Sequence, residues 1–211
     1  MDLNGSINEF RETCKGGLVK VESLNAAFKA LAPAFLYGGY IKVRNDYRIY
    51  IDTIEFYFHS EKKEGVKDTI VYHRNGRYGI EDVPYFEPLM FHAHASGFDI
   101  AFESQEDQYR ASALIRRYTI MNADGTEYIR RDGEPIIRDD RSTYLYDILN
   151  GFGLGEANAI TWVSEPKECK EDIKGEKRRN VYDLEYDEAS KKWTRGERNN
   201  RPWSFTKPKE D

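Results

Sequence analysis

The sequence predicts an α+β protein, with one domain built on a mostly antiparallel β-sheet and a few flanking helices. Three observations lead to this prediction. The chain has 211 residues, which is the size of one ordinary domain. From Tyr40 to about residue 120, apolar and polar residues mostly alternate, which is typical of half-buried strands. The 15 tyrosines and 11 phenylalanines suit the pleated surface of a sheet.

The first predicted element is a helix after a polar N-terminal segment. Residues 1–22 are polar and mixed, and we expect them to be loosely structured. Ser23 is a suitable N-cap residue for the helix that follows. Pro33 is expected to kink or end this helix, and Gly38-Gly39 leads into the first strand. One apolar face of the helix is formed by Leu24, Phe28 and Leu31.

The strands follow in the middle of the chain. Residues 44–46 form a turn between the first two strands, residues 75–88 are expected to be irregular, and Gly97 is expected to bend the fourth strand. The core of the domain covers residues 23–166. The predicted strands are residues 40–43, 47–59, 69–72, 89–103 and 109–120.

The C-terminal part contains a second predicted helix and a hairpin. After a turn at residues 123–125, Ser142 can cap a helix that ends at Asn150-Gly151. Residues 167–211 form a charged C-terminal extension. Within it, an alternating segment at residues 182–186, a turn and then Trp193 predict a β-hairpin.

Charge and cysteine content limit the possible partners and compartments. The net charge is −5, whereas nucleic-acid binders usually carry a basic surplus. Cys14 and Cys169 have no metal-binding spacing, so we expect free thiols in a reducing compartment. Neither a signal peptide nor an apolar run long enough for a membrane span is present, so we expect a cytoplasmic protein with no membrane partner.

The most informative strand is residues 51–59, because side chains on a strand alternate between two faces. Ile54 belongs to an apolar face with Phe56 and Phe58, whereas Glu55 shares the opposite face with aromatic side chains. A carboxylate in such surroundings is costly to bury unless it is paired or used. It could act as a general base on water. Alternatively, it is a cross-strand partner for an arginine or lies at an exposed rim. The polar face comprises Thr53, Glu55, Tyr57 and His59.

Histidine and arginine residues offer further candidates. His92 and His94 stand two apart on a strand and share a face, which is a frequent metal-ligand arrangement that Glu55 or Asp68 could complete. Alternatively, these histidines stack or hydrogen-bond inside a cleft. Arg116-Arg117 ends an apolar strand, so one of the two arginines is expected to face inward. An inward arginine needs an anion such as Glu55 or a substrate phosphate; otherwise the pair is a solvated strand end.

Several short segments, in this order, resemble motifs of the alkyladenine (3-methyladenine) DNA glycosylase family. The resemblance extends from about Leu24 to Pro166. Ser96-Gly97 stands where the family has its "YG" pair, and residues 54–57 resemble its "TEAY" motif. The other matching segments are residues 31–38, His73 with Arg74-Asn75, residues 113–116 ("VLLR" in the family), residues 144–149 and residues 162–166.

The resemblance implies a specific fold and activity. The fold would be built on a curved β-sheet. The activity would be base excision: an alkylated or deaminated purine is flipped out of DNA, and its N-glycosidic bond is hydrolysed without a metal or cofactor. Glu55 would activate the water, and Arg116 would lie near the water and the substrate phosphate. Tyr57 and His73 would sandwich the flipped base. His94 is a further candidate for substrate binding.

Two positions differ from the family pattern and leave two other functions open. Ser96 replaces the tyrosine that fills the gap left by the flipped base, and Glu103 falls near the family's pocket asparagine. Together with the acidic charge, these differences favour as an alternative a catalytically inactive nucleotide- or protein-binding module on the same fold. The second alternative is a metal-dependent hydrolase that uses the His92/His94 pair.

Overall fold

A helix occupies the N-terminal segment that was expected to be loose. The structure is a computed structural model and describes residues 2–44, 47–94, 97–126, 160–169 and 172–208. Helix α1 (Leu3–Thr13) begins after Asp2, whose side chain accepts a hydrogen bond from the Gly5 N–H. The expectation of a loose segment was wrong because Leu3, Ile7 and Phe10 recur at helical spacing and pack into the core.

The second helix is longer than predicted. Helix α2 (Val21–Tyr37) begins after Lys20 rather than at Ser23 and continues past Pro33 as far as Gly38. The predicted apolar face is confirmed. The helix does not end at Pro33, although a proline inside a helix removes a backbone hydrogen bond. The turn that follows the proline buries side chains in the core, and this burial can offset the lost hydrogen bond. The buried side chains of this last turn are Ala34, Phe35 and Leu36.

A curved antiparallel sheet of half-barrel form completes the α+β fold, so the fold class predicted from the sequence is confirmed at this level. Its central pair is the two longest strands, β2 and β5, and the order across the sheet is β3-β4-β5-β2-β1-β6. β10 pairs with residues 53–55 of β2, and β7 pairs with β10. The strands of the described residues are β1 Gly39–Val43, β2 Tyr47–Ser60, β3 Phe91–His94, β4 Gly97–Ala101, β5 Tyr109–Asn122, β6 Ile160–Ser164, β7 Gly175–Glu176, β8 Tyr182–Asp187, β9 Lys192–Arg198 and β10 Ser204–Thr206.

Two predicted strands take other forms. The segment 89–103 is a hairpin of β3 and β4 rather than one bent strand, with His94 opposite Gly97. The φ of Gly97 is +145°, a conformation that favours glycine and allows the chain to reverse here. Residues 69–72 form a turn, in which the Val71 N–H donates to the Asp68 carbonyl. The irregular segment 75–88 is confirmed, whereas the helix predicted at 142–150 lies outside the described residues.

The two faces of the sheet differ in character. Ile54, Phe56 and Phe58 are fully buried on the face covered by the helices, and the Phe28 and Phe56 rings stack at 4.7 Å. The opposite face carries polar side chains and lies against loop residues and part of the C-terminal extension. The predicted hairpin in that extension is confirmed as β8 and β9.

The rest of the extension belongs to the main fold. β10 pairs with β2, with Phe205 opposite Ile54, and Trp203 is fully buried. The Trp203 indole N–H donates to the Asn25 side chain at 2.7 Å. No helix in the described part of the chain is long and apolar enough to cross a membrane.

Candidate functional site

The strand registers gather polar side chains on one face of the sheet. Tyr57 on β2 is opposite Ser112 on β5, and Asp99 on β4 is opposite Leu114. His92 on β3 is in turn opposite Asp99. Because directly paired residues of antiparallel strands point to the same side, these side chains form one polar surface across four strands.

A pocket of about 360 Å³ lies on this surface, within the range of roughly 300–1,000 Å³ that is usual for small-molecule sites. Strands supply its floor, the loop after β2 supplies one wall, and the C-terminal extension supplies another. Of the residues proposed from the sequence, the pocket brings together Tyr57, His73, His94 and Arg116. The other lining residues include Tyr72, Arg77, Tyr78, Asp99, Ser112, Leu114, Arg179, Asn180 and Val181.

Glu55 lies behind the pocket, and both of its carboxylate oxygens accept hydrogen bonds. Its carboxylate is 2% exposed, and its Oε2 accepts hydrogen bonds from the Arg116 Nε–H at 2.8 Å and the Tyr57 hydroxyl at 3.0 Å. Arg116 Nη2 also lies 2.7 Å from Oε2. The other oxygen, Oε1, accepts from the Arg179 backbone N–H at 3.1 Å. The carboxylate therefore orients Arg116 and anchors the extension, and it is paired in the way that the cross-strand interpretation expected.

The protonation states of the two partners fit this arrangement. Burial and then the Glu55 charge raise the pKa of Tyr57, so its hydroxyl keeps its proton and donates it. Burial by itself lowers the pKa of Arg116, but Tyr57 and Glu55 raise it by more. Arg116 is therefore a fixed cation at the pocket, and its side chain is 22% exposed.

Arg178 holds the extension against the back of the site. It is fully buried and forms a bidentate pair with Asp68, at 2.6 and 3.2 Å. Its guanidinium lies 4.5 Å from the centre of the Tyr57 ring and 5.0 Å from that of Trp203. The pair fixes the next residue, Arg179, whose exposed side chain lines the pocket.

Aromatic rings and histidines form the wall next to β3. The Tyr72 ring stacks on His94 at 4.3 Å and on His92 at 5.1 Å. His94 Nε2 lies 3.2 Å from Asp99 Oδ1, and Asp99 Oδ2 accepts from the Ser112 hydroxyl at 2.9 Å. The histidines thus stack and make polar contacts inside a cleft. Across the described ranges, no three His, Cys, Asp or Glu side chains are grouped as metal ligands would be.

Glu103 does not line the pocket. Glu103 is 1% exposed, contacts the His73 ring, and accepts hydrogen bonds from Arg110 at 3.2 Å and from the Phe86 N–H at 3.0 Å. These contacts make Glu103 part of a buried ionic cluster that holds the loop after β2. Ser96 lies outside the described residues.

Three charged residues of the pocket, Asp99, Arg77 and Arg179, were not predicted from the sequence. Asp99 carried a usable signal, because it is a single carboxylate between Phe98 and Ile100 in an apolar strand, the same pattern that singled out Glu55. Arg77 and Arg179 carried none, since each stands in a polar segment among other charged residues. Only the fold brings Arg179 to Glu55, 124 positions away in the chain.

No protein-family model matches the chain, and searches of curated proteins and of solved structures found no match either. The function therefore has to be argued from the pocket itself.

Proposed function

We propose that this protein binds a nucleotide in the pocket without turning it over. The observation that carries the proposal is the state of Glu55, whose two oxygens are occupied by donors and which holds Arg116 towards the pocket. A general base needs a lone pair that faces the substrate, whereas a fixed guanidinium is suited to a phosphate group.

The charges of the pocket support an anionic ligand. Arg77, Arg116 and Arg179 line it, and Asp99 is its one carboxylate among the described lining residues. Asp99 is in turn close to His94. Guanidinium groups recognise phosphate through paired N–H donors, so three of them around one pocket match a nucleotide phosphate.

The rings of the pocket support a planar ligand. Tyr57, Tyr72, Tyr78 and His73 all line the pocket, and aromatic side chains stack on bases regardless of sequence. Asp99 Oδ1 is buried, and its contact with His94 Nε2, at 3.2 Å, does not have the geometry of a hydrogen bond. It could accept a hydrogen bond from a base N–H, which would satisfy that oxygen.

Calorimetric titration with nucleosides, nucleoside mono- and diphosphates and inorganic phosphate tests the proposal. We expect the nucleotides to bind more tightly than the nucleosides. Arg179→Ala should weaken nucleotide binding about tenfold, as loss of a charge-assisted hydrogen bond does. Lys177→Ala is the matched control, because Lys177 is exposed nearby and does not line the pocket. If the unmodified protein binds none of these compounds, the proposal is wrong.

A second candidate, which we also propose, is hydrolysis of the N-glycosidic bond of a modified purine in DNA. Tyr57, His73 and Arg116 share one pocket, and Glu55 lies directly behind it, which supports this candidate. Glu55 would have to exchange one of its donors for a water molecule. The test is release of free base from single- and double-stranded oligonucleotides that contain hypoxanthine or alkylpurine. Release no greater than that of Glu55→Gln would exclude this activity.

A further inference from the structure

A groove continues from the mouth of the pocket towards the β8–β9 hairpin. Loop residues between 76 and 81 form one side of the groove, and the hairpin forms the other. Arg77 and Tyr78 line both the pocket and the groove, so the two adjoin each other at these side chains. The side chains that line the groove are Arg77, Tyr78, Glu81, Tyr186, Lys191 and Trp193.

Large aromatic rings are exposed along this groove. Tyr78 is 66% exposed and Tyr186 is 43% exposed, although tyrosines generally bury much of their ring. The Tyr186 and Trp193 rings lie 5.2 Å apart. The Arg74 guanidinium lies 4.8 Å from the centre of the Trp193 ring, which connects the hairpin to the loop. The Arg77 guanidinium likewise lies 5.0 Å from the centre of the Tyr78 ring, and the exposed remainder of these rings offers stacking surfaces along the groove.

Arginine side chains line both parts of this path. The cations lining it are Arg116, Arg179, Arg77 and Lys191, and the carboxylates lining it are Asp99 and Glu81. Arg116 is paired with Glu55 and Lys191 with Glu188, whereas Arg77 and Arg179 pair with no carboxylate of the described residues. The pocket and the groove thus form a track in which two guanidinium groups can each bind a phosphate of a nucleic-acid strand.

We propose that the groove and the pocket together bind single-stranded nucleic acid. One unpaired nucleotide occupies the pocket, and the neighbouring bases stack on Tyr78 and on the Tyr186–Trp193 pair. Exposed rings alternating with cations are the arrangement that holds single strands without regard to sequence. A base in a duplex is already stacked and paired, so it can use neither the pocket nor the rings. This inference rests on the proposed nucleotide site and extends it.

Fluorescence anisotropy with labelled oligonucleotides of one to eight residues tests the proposal, with separate DNA and RNA series and a duplex of each. Affinity should rise at least tenfold between the mononucleotide and the longer single strands, as roughly 1–3 kcal/mol per stacked base implies, and it should fall with added salt. Gains in either sugar series support the track. No gain with length, or tighter binding of the duplex, overturns it.

A set of variants tests whether the groove causes the rise in affinity with oligonucleotide length. Tyr186→Ala should lower oligonucleotide affinity about tenfold and leave mononucleotide affinity unchanged, and Tyr186→Phe should restore the affinity because it keeps the ring. Tyr182→Ala is the matched control: Tyr182 stacks with Arg195 on the same hairpin and does not line the groove. An equal loss in Tyr182→Ala and Tyr186→Ala overturns the track. Mononucleotide binding without any length dependence refutes only this inference, whereas absence of all nucleotide binding refutes the nucleotide site itself.

Discussion

Glu55 brings together donors from three parts of the chain: Tyr57 on its own strand, Arg116 on β5 and the Arg179 backbone in the extension. A buried carboxylate with four donor contacts is stable only while the donors remain, and the donors in turn depend on its charge. These contacts therefore make Glu55 important for the shape of the site.

Replacing Glu55 with glutamine should destabilise the protein. Breaking a buried ion pair costs roughly 3–5 kcal/mol, and because the Arg116 side chain is 22% exposed we expect about 2–3 kcal/mol after solvent screening. Urea denaturation of both proteins measures the difference. Glu12→Gln serves as control, since Glu12 and Lys15 form a pair with both side chains over 70% exposed. A loss for Glu55→Gln as small as that of the control would contradict the structural role.

His59 gives the protein a specific pH dependence. Burial, and then the charges of Arg74 and Lys67, lower the pKa of His59 from 6.5 to about 3. Because the folded pKa is lowered, the unfolded chain takes up the proton first as pH falls. The neutral His59 ring therefore makes its full contribution to the free energy of unfolding above about pH 6.5, and this contribution is lost progressively as the pH falls towards 3. Burial lowers the pKa of His92 as well, so His92 acts in the same direction.

Between pH 7 and pH 5 the wild type should lose about 2 kcal/mol more unfolding free energy than His59→Gln, which has no proton to gain at this position. Urea denaturation at both pH values measures the change. His92→Gln provides the comparison and should reduce the loss less, because His92 is less buried than His59. If His59→Gln has the same pH dependence as the wild type, His59 is not buried in its neutral form.

At the level of elements, the loop after β2 and the extension are joined by the Asp68–Arg178 pair. Asp68 and Arg178 are both fully buried, and Arg178 Nη1 also donates to the Phe56 carbonyl at 3.1 Å. The pair thus ties the loop, the central strand and the extension together. It supports both walls of the pocket together with the Glu55 contact to the extension and the Glu103 contacts to the loop.

The double variant Asp68→Asn/Arg178→Met should be more stable than Arg178→Met alone. The single change leaves a buried carboxylate without its partner, at a cost of roughly 3–5 kcal/mol, whereas the double change removes both charges. A double-mutant cycle measured by urea denaturation gives the coupling between the two positions. Additive effects of the two changes would show that the pair does not connect the loop and the extension.

An element could be predicted from the sequence where its pattern of apolar and polar residues lies within the element itself. The alternation in residues 51–59 correctly separated Phe56 from Glu55, because period two is a property of the strand itself. Helix α1 was missed because Leu3, Ile7 and Phe10 are few among many polar residues. The β3–β4 hairpin, in which His94 is opposite Gly97, was missed because the sequence between the two strands has no Asn-Gly or Asp-Gly pair, the strongest signal for a short hairpin turn.

In the whole molecule, the C-terminal extension is not separate from the core, although the sequence had suggested that it was. The sequence placed residues 167–211 in a charged extension beyond the core of residues 23–166, yet β10 pairs with β2 and Phe205 is 1% exposed in the core. Trp203 lies in the same core and packs on Phe28 at 5.0 Å. Contacts between residues more than 100 positions apart have no sequence pattern of their own, so composition alone could not reveal them.

Two deletions distinguish the parts of the extension. Truncation after residue 174 removes Trp203 and Phe205 from the core and leaves the second half of β2 as an open edge. Loss of one large buried ring costs roughly 3–5 kcal/mol, so two losses approach the 5–15 kcal/mol total stability of a typical domain. We therefore expect the truncated chain not to fold, which circular dichroism and amide NMR dispersion would show.

Deletion of the hairpin alone should leave a folded protein. Replacing residues 183–198 with two glycines is feasible because Tyr182 and Arg198 are paired neighbours, and β8 and β9 form a sheet of their own. The Val181 carbonyl keeps its hydrogen bond from the Asn199 N–H, so the ends of the deletion stay anchored. A cooperative urea transition close to that of the full chain is expected. Loss of that transition would mean that the hairpin is part of the folding unit, because the two glycines leave β10 and its partners in the chain.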